Sequence, residues 1–355
     1  MTPINKIKFF LSRPKVIIVA GRGRGTAREA IYHVLKSHFK IGKEIMLSVD
    51  MEDSVFYLKN SQLPILAVTH VGDYHPDKEF FDGDARDTDK AAELAKVLPA
   101  HGRLVLNFDD ETVREIKDES IAHPLTFGFG ARADIRVSDI VLTKVSSPGT
   151  NFKINYEGNI VPVWLEKLFG KENIYAALTA AAVGEVLGLN LVEISEGLKS
   201  YFGIAGKMRL IPGIKNSWIL DDTATTSALT MLEALAVLKG IETTGQRIAV
   251  LGDVLNIGKY AIEAHETVGE KAEKSADLLF TIGDRAKFFA EGARNNGMPA
   301  DKISKFSNAK EAALALRQEI KEGDLVLIDG SKEMNMIDIV KEITAPSMPS
   351  SSSPV

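Results

Sequence analysis

Cysteine is absent from the 355 residues, which excludes disulfides, thiolate metal sites and thiol nucleophiles together. Long apolar runs are missing too. No stretch reaches the roughly 20 apolar residues that a membrane-spanning helix needs. The opening "MTPINKIKFFLSRPK" holds only a short apolar patch, well short of a signal-peptide core. There is no excess of basic charge: 43 Lys and Arg stand against 48 Asp and Glu, for a net charge of -5. That balance gives no electrostatic footprint for nucleic acid or an anionic membrane. The expectation is a cytoplasmic protein that binds no nucleic acid and inserts into no membrane. What remains is ordinary, with 45% hydrophobic residues, enough for sizeable cores in a chain long enough for two domains.

Strand-like and helical patterns alternate along the chain, which defines an α/β class. "VIIVA" (Val16–Ala20), "LPILAVT" (Leu63–Thr69) and "GRLVLNF" (Gly102–Phe108) read as buried parallel strands. "ADIRVSDIVLT" and "TNFKINYEGNIVPVWL" alternate apolar with polar residues, as half-solvated antiparallel strands turning at Gly158 would. An alanine-rich helix, "NIYAALTAAAVGEVLG", ends at Gly188. A second α/β series runs through "SWILDD", "RIAVLGD", "ADLLFTIG" and "DLVLIDGS". These strands end in Gly, Asp or Ser, where an open parallel sheet places its ligands. The expected organisation is a domain over 1–208, a second over 209–345, with the boundary near Lys207–Pro212, and a disordered Pro/Ser-rich tail over 346–355.

Four stretches can carry chemistry. Gly21 to Thr26, "GRGRGT", lies between a strand and a helix, the layout of a phosphate loop in which backbone N–H groups and the helix dipole hold the anion. Arg24 adds a bidentate fork where a lysine would add a point charge; the plainer reading is a tight turn. "VTHVGDYHPD" offers His70, Asp73, His75 and Asp77 after a strand, able to hold a divalent cation or to be a merely polar loop. "LDDTATTS" places Asp221 and Asp222 at a strand end, for ribose hydroxyls or a cation, with capping of the next helix the favoured alternative. His265, following Gly252-Asp253, is read as structural.

Taken in order, these stretches resemble the Mur ligases of peptidoglycan synthesis, most closely the branch that adds D-alanyl-D-alanine. The most specific pieces are "TFGFGARADIRVSDI", "GKENIYAALTAAAVG", "AVLGDVLNIG" with "HETVG", "DGSKEMNM" and "LNFDDETV". The resemblance covers about Lys15 to Ile343. It implies a central P-loop ATPase domain with a mostly parallel sheet and a small antiparallel part, followed by a Rossmann-like C-terminal domain. It also implies an ATP-dependent, Mg²⁺-assisted joining of a small-molecule carboxylate and an amine through an acyl phosphate. By resemblance, Gly21, Gly23, Arg24, Gly25 and Thr26 hold phosphate. Two registers are open, one placing Arg24 on the family's lysine and the other placing Thr26 on its threonine. Asn173 and Asp222 fall on positions for base and ribose, and Thr26, Asp50 and His75 on metal positions. Arg24, His75 and Lys207 are the catalytic candidates, and Asp329, Gly330, Ser331 and Lys332 the substrate positions.

The departures are as informative. The family's bridging lysine aligns with Ala91, with Lys90 beside it on another helix face. Glu172 replaces a histidine, Lys207 replaces an arginine, and Asp329 reverses the charge of a lysine. The Asn-rich signature after Asp222 has become Thr223-Ala224-Thr225-Thr226-Ser227-Ala228. The family's uridine-nucleotide domain has no counterpart in the sequence, so a separate subunit supplying it is an implied partner. The expected function is a Mur-type ligase. The alternatives are a degenerate Mur-like protein that binds nucleotide or a partner, and a ligase of the same architecture for a folate or poly-amino acid.

Overall fold

The computed structural model describes residues 9–49, 53–70, 72–74, 81–83, 85–224, 227–255 and 257–346, with backbone only over 72–74, 81–83 and 85–88. The candidates Asp50, His75 and Asp77 and all of the expected tail after residue 346 lie outside these residues; for Asp73 only the backbone is described. The chain divides into two compact units, one of residues 1–141 and 149–204 and the other of 142–148 and 205–355.

The first unit is built on an eight-stranded sheet in the order β10-β9-β8-β7-β6-β3-β1-β2. Its parallel part comprises β1 (Lys15–Ala20), β2 (Ile45–Ser48), β3 (Pro64–Val68), β6 (Arg103–Asn107), β7 (His123–Gly128) and β8 (Ile135–Leu142). The antiparallel part is the hairpin β9 (Gly149–Tyr156) and β10 (Asn159–Glu166), which turns at Gly158 as its alternation predicts. A short ribbon of β4 (Gly72–Tyr74) and β5 (Phe81–Gly83) stands apart from the sheet.

The continuous apolar run of β1 has a simple cause. Successive strand side chains point to opposite faces, and both faces of β1 are covered. Ile17 and Val19 pack with the loop helix (Arg24–Leu35) and the central helix (Gly170–Val186). Val16 and Ile18 pack instead with Leu58, Leu66, Leu94 and Leu104. The alanines of the central helix, Ala176, Ala177 and Ala180 to Ala182, are buried in the first of these cores. Ala91 belongs to the second core while Lys90 is exposed, so the two neighbours occupy different helix faces.

The second unit carries a six-stranded sheet in the order β11-β12-β16-β13-β14-β15. Only β11 (Arg209–Pro212) is antiparallel. β12 (Trp218–Asp222), β13 (Arg247–Gly252), β14 (Leu278–Ile282), β15 (Ile303–Phe306) and β16 (Leu325–Asp329) are parallel. Ile219, Val250, Phe280 and Ile328 face helices Ala309–Glu319 and Ile337–Ile343 across one core. The segment 142–148 is tied into this unit by the Lys144–Glu242 ion pair at 2.6 Å and by Val145 N–H on the Glu242 carbonyl at 3.3 Å. No helix among the described residues is long and apolar enough to cross a membrane.

Candidate nucleotide site

The Gly21–Thr26 stretch runs from the end of β1 into the loop helix. Gly21 and Gly23 have φ of +90° and +73°, a region that side chains disfavour. At Gly21 there is a second reason: a Cβ would stand 2.6 Å from the His70 carbonyl oxygen. The loop is pinned to the end of β3. Arg22 N–H donates to the His70 carbonyl at 2.5 Å, and Thr69 Oγ1 lies 3.0 Å from the Ala20 carbonyl and 2.5 Å from that of Arg22. Thr69 is the residue that sequence reasoning passed over. Its signal was there, a hydroxyl placed directly after an apolar strand and before the polar "HVGD" stretch.

Gly23 is the N-cap of the loop helix and brings no capping side chain, and the first turn carries no acidic residue. N–H groups at such an end attract an anion. Arg24 opens the helix with its guanidinium folded back onto the loop, donating to the Gly21 carbonyl at 3.1 Å. Thr26 is buried and donates through Oγ1 to Glu172 Oε1 at 2.6 Å. Gly25, like Arg24, is half-buried. The structure therefore brings Gly21, Gly23, Arg24, Gly25 and Thr26 together with Glu172 at one point of the first unit.

His70 Nδ1 lies 3.0 Å from Asp110 Oδ2, with Asp110 buried and its other oxygen accepting the Val113 N–H at 3.0 Å. Asp109 gathers the N–H groups of Phe129 (2.6 Å) and Gly130 (2.8 Å) and the Tyr175 hydroxyl (3.0 Å). Asn173 is buried within the unit: its amide donates to the Phe169 carbonyl at 2.8 Å and its Oδ1 accepts the Tyr201 hydroxyl at 2.9 Å. Burial, with help from the charges of Glu172 and Glu29, pushes the Tyr201 hydroxyl well above its ordinary pKa, which keeps it a donor.

In the second unit, the expected helix-capping role of Asp221 and Asp222 is corrected. Helix Ala228–Gly240 is capped by Ser227, whose Oγ accepts the Thr230 N–H at 3.2 Å. The two aspartates hold the 206–208 turn instead. Asp221 Oδ2 accepts Gly206 N–H at 3.0 Å and Asp222 Oδ1 accepts Met208 N–H at 3.2 Å. Half-buried Lys207 is thereby carried on a backbone gripped on both sides. Adjacent aspartates at a strand end suit capping and anchoring equally, so local sequence does not distinguish the two.

Asp329 is fully buried at the end of β16, in register with Asp222 on one side and Leu251 on the other. Ser331 is also buried, its Oγ accepting Leu255 N–H at 3.0 Å and its N–H reaching the Asp253 carbonyl at 3.3 Å. Gly330, between them, is buried as well, and Lys332, directly after Ser331, is exposed. Of the four substrate candidates, Lys332 presents its side chain to solvent.

The loop geometry fits polyphosphate: glycines where a Cβ would be strained or collide, an N-cap with no side chain of its own, and arginine in place of acid in the first turn. For Mg²⁺, the described residues contain no group of three or more His, Asp or Glu side chains that could hold a metal; of the candidate set, Thr26 is described and Asp50 and His75 are not.

Comparison with known proteins places this geometry in a class of two-unit α/β proteins. The family model for the Mur ligase middle domain matches residues 58–184, and that for the Mur ligase glutamate ligase domain matches 206–332. The chain belongs to the Mur ligase family, spanning its middle and C-terminal domains. It is 27% identical over 219 residues to UDP-N-acetylmuramoyl-tripeptide--D-alanyl-D-alanine ligase of Bacillus subtilis, covering 61% of this chain and 46% of that protein. Its counterpart in Escherichia coli is 29% identical over 209 residues, covering 58% and 44%. The match thus spans about half the length of these curated relatives. Among solved structures, MurF from Acinetobacter baumannii superposes with a TM-score of 0.76 at 20% identity, over 94% of this chain and 77% of that one. MurF ligase from Thermotoga maritima in complex with ADP gives a TM-score of 0.70 at 19% identity, over 93% and 79%. At such identity these superpositions speak for the fold.

Proposed function

We propose that the chain is an ATP-dependent ligase joining a carboxylate to an amine through an acyl phosphate, in the assembly of a peptidoglycan precursor in the cytoplasm. The observation that carries this reading is the Gly21–Thr26 loop, a pinned strand–loop–helix turn with an uncapped helix N-terminus, in a chain of the Mur ligase family. When bound, ATP supplies the phosphoryl group that activates the carboxylate.

This chain's residues supply charge and position. Backbone N–H groups of the loop hold phosphate oxygens, and Arg24 adds a planar cationic fork once it leaves the Gly21 carbonyl. Arg24 and His75 offset the charge that develops during transfer, and Lys207, on its anchored turn in the second unit, is a further cationic candidate by family resemblance. Asn173, buried and bonded to the Phe169 carbonyl and the Tyr201 hydroxyl, would support the base position from within the first unit; in the second unit Asp222 is the ribose candidate, and Thr26, Asp50 and His75 would hold Mg²⁺. Asp329 to Lys332 border the amine site, and Lys332 provides its accessible charge.

Thermal denaturation with saturating Mg-ATP tests this. A dissociation constant of micromolar order, about -8 kcal/mol, raises the melting temperature by mass action, and Arg24→Ala removes most of that shift. Phosphate release with candidate acids and amines then reports ligation. No shift with either Mg-ATP or Mg-ADP would overturn the reading. A second reading, a family member that binds nucleotide or a partner without ligation, is favoured by the engagement of Thr26 with Glu172. It predicts the thermal shift without phosphate release.

A further inference from the structure

The loop helix begins without an acid of its own, yet a carboxylate lies against its first turn. Thr26, the third helical residue, donates to Glu172 Oε1 at 2.6 Å. A Cβ built on Gly23, the N-cap, would stand 3.3 Å from Glu172 Cγ, 3.4 Å from Cδ and 3.6 Å from Oε1. Glu172 is itself the third residue of the central helix, whose N-cap Phe169 makes no side-chain capping bond. One carboxylate thus borders the N-terminal turns of two packed helices, where backbone N–H groups concentrate positive potential.

A phosphate drawn to this end of the loop helix meets that carboxylate. The two anions compete for the same positive potential, and like charges at such range in a half-buried site repel strongly. The Thr26 hydroxyl proton is already committed to Glu172, so a phosphate oxygen gains it only if the carboxylate lets go. We infer that Glu172 is a specificity-determining residue of the phosphate loop, holding the position beside Gly23 and Thr26 with an internal carboxylate that an incoming polyphosphate must displace. The inference rests on reading the Gly21–Thr26 loop as the phosphate site. The loop as built discriminates against weakly held phosphates and admits a ligand whose remaining contacts compensate for moving Glu172.

The test is calorimetric titration of the full chain with inorganic pyrophosphate and, separately, with Mg-ATP. Wild type is compared with Glu172→Gln and Glu172→Ala. Glutamine keeps the shape of the side chain and an acceptor for Thr26, so local packing survives; alanine is the second variant, and circular dichroism verifies that each is folded. Both variants are expected to bind pyrophosphate about tenfold more tightly than wild type. Unchanged or weaker binding in the folded variants overturns the inference and makes Glu172 a bystander or a ligand. The outcomes separate this inference from the ligase reading. Tighter pyrophosphate binding by the variants with no Mg-ATP binding by wild type upholds the inference and sinks the ligase. Mg-ATP binding by wild type with no gain in the variants does the reverse. No binding in any of the proteins overturns both.

Discussion

Tyr201 donates its hydroxyl to Asn173 Oδ1 at 2.9 Å, and both side chains are buried. The bond joins residues 28 positions apart in sequence and fixes the start of the central helix. Tyr201→Phe removes the donor but keeps the ring, leaving a buried acceptor short of this bond. The expected cost is about 1–2 kcal/mol, read as a lower urea midpoint with an unchanged m value.

Gly21 offers a sharper test of backbone demand. An alanine there must adopt a φ near +90° and place its methyl against the His70 carbonyl, 2.6 Å away. Gly21→Ala is expected to destabilise the first unit by about 2–4 kcal/mol. Equilibrium unfolding measures the loss, and a neutral result would show that the loop is not pinned to the end of β3.

Thr69→Val keeps the shape of the side chain and deletes the hydroxyl shared by the Ala20 and Arg22 carbonyls. The expected loss of stability is about 1–2 kcal/mol. Because this hydroxyl sets the loop's path, ADP affinity is expected to fall several-fold as well. Calorimetry with ADP and urea unfolding on the same variant separate the two effects.

His265 predicts a pH dependence. The ring is buried, its Nδ1 is 2.6 Å from the Ala261 carbonyl, and its Nε2 accepts Val254 N–H at 3.2 Å. That pattern needs the neutral ring protonated on Nδ1. Burial lowers its pKa; the Ala261 carbonyl and Asp253, with Oδ1 4.0 Å away, pull it up, and Arg285 pushes it down. The unfolded chain therefore takes up this proton at higher pH than the folded one. The contribution to stability is complete above about pH 6.5 and is lost as pH falls toward the lowered folded-state value. The melting temperature is expected to decline from about pH 7.5 to pH 5.5 more steeply in wild type than in His265→Gln, whose cost at the higher pH is about 1–3 kcal/mol. Parallel slopes in scanning calorimetry would contradict the assignment.

Much of the fold was legible because the parallel strands are buried on both faces. Runs such as Val16 to Ala20 and Ile248 to Leu251 can then be apolar throughout, while the alternation in β9 and β10 betrays a half-solvated hairpin. The loop was legible for a local reason: strand, glycines and helix follow one another directly. What escaped is non-local. Thr26 meets Glu172 across 146 positions, and nothing near Glu172 announces a partner on the loop helix. Asp221 and Asp222 carry the right chemistry for a cap, yet they hold backbone 14 and 15 positions upstream. The buried state of Asp329 follows from its place between β12 and β13, a strand order that periodicity does not specify.

The position of β1 has a kinetic meaning. It lies between β2 and β3, and Val16 to Val19 are inaccessible to solvent. Amides of such a strand exchange with deuterium only when the surrounding unit opens as a whole, so β1 belongs to the slowest-exchanging set of the first unit. The Gly21–Thr26 loop is the direct continuation of that strand and is moored to the end of β3. Its glycines retain their arrangement between ligand encounters, and an arriving anion need not order the backbone that receives it, which lowers the entropic cost of association.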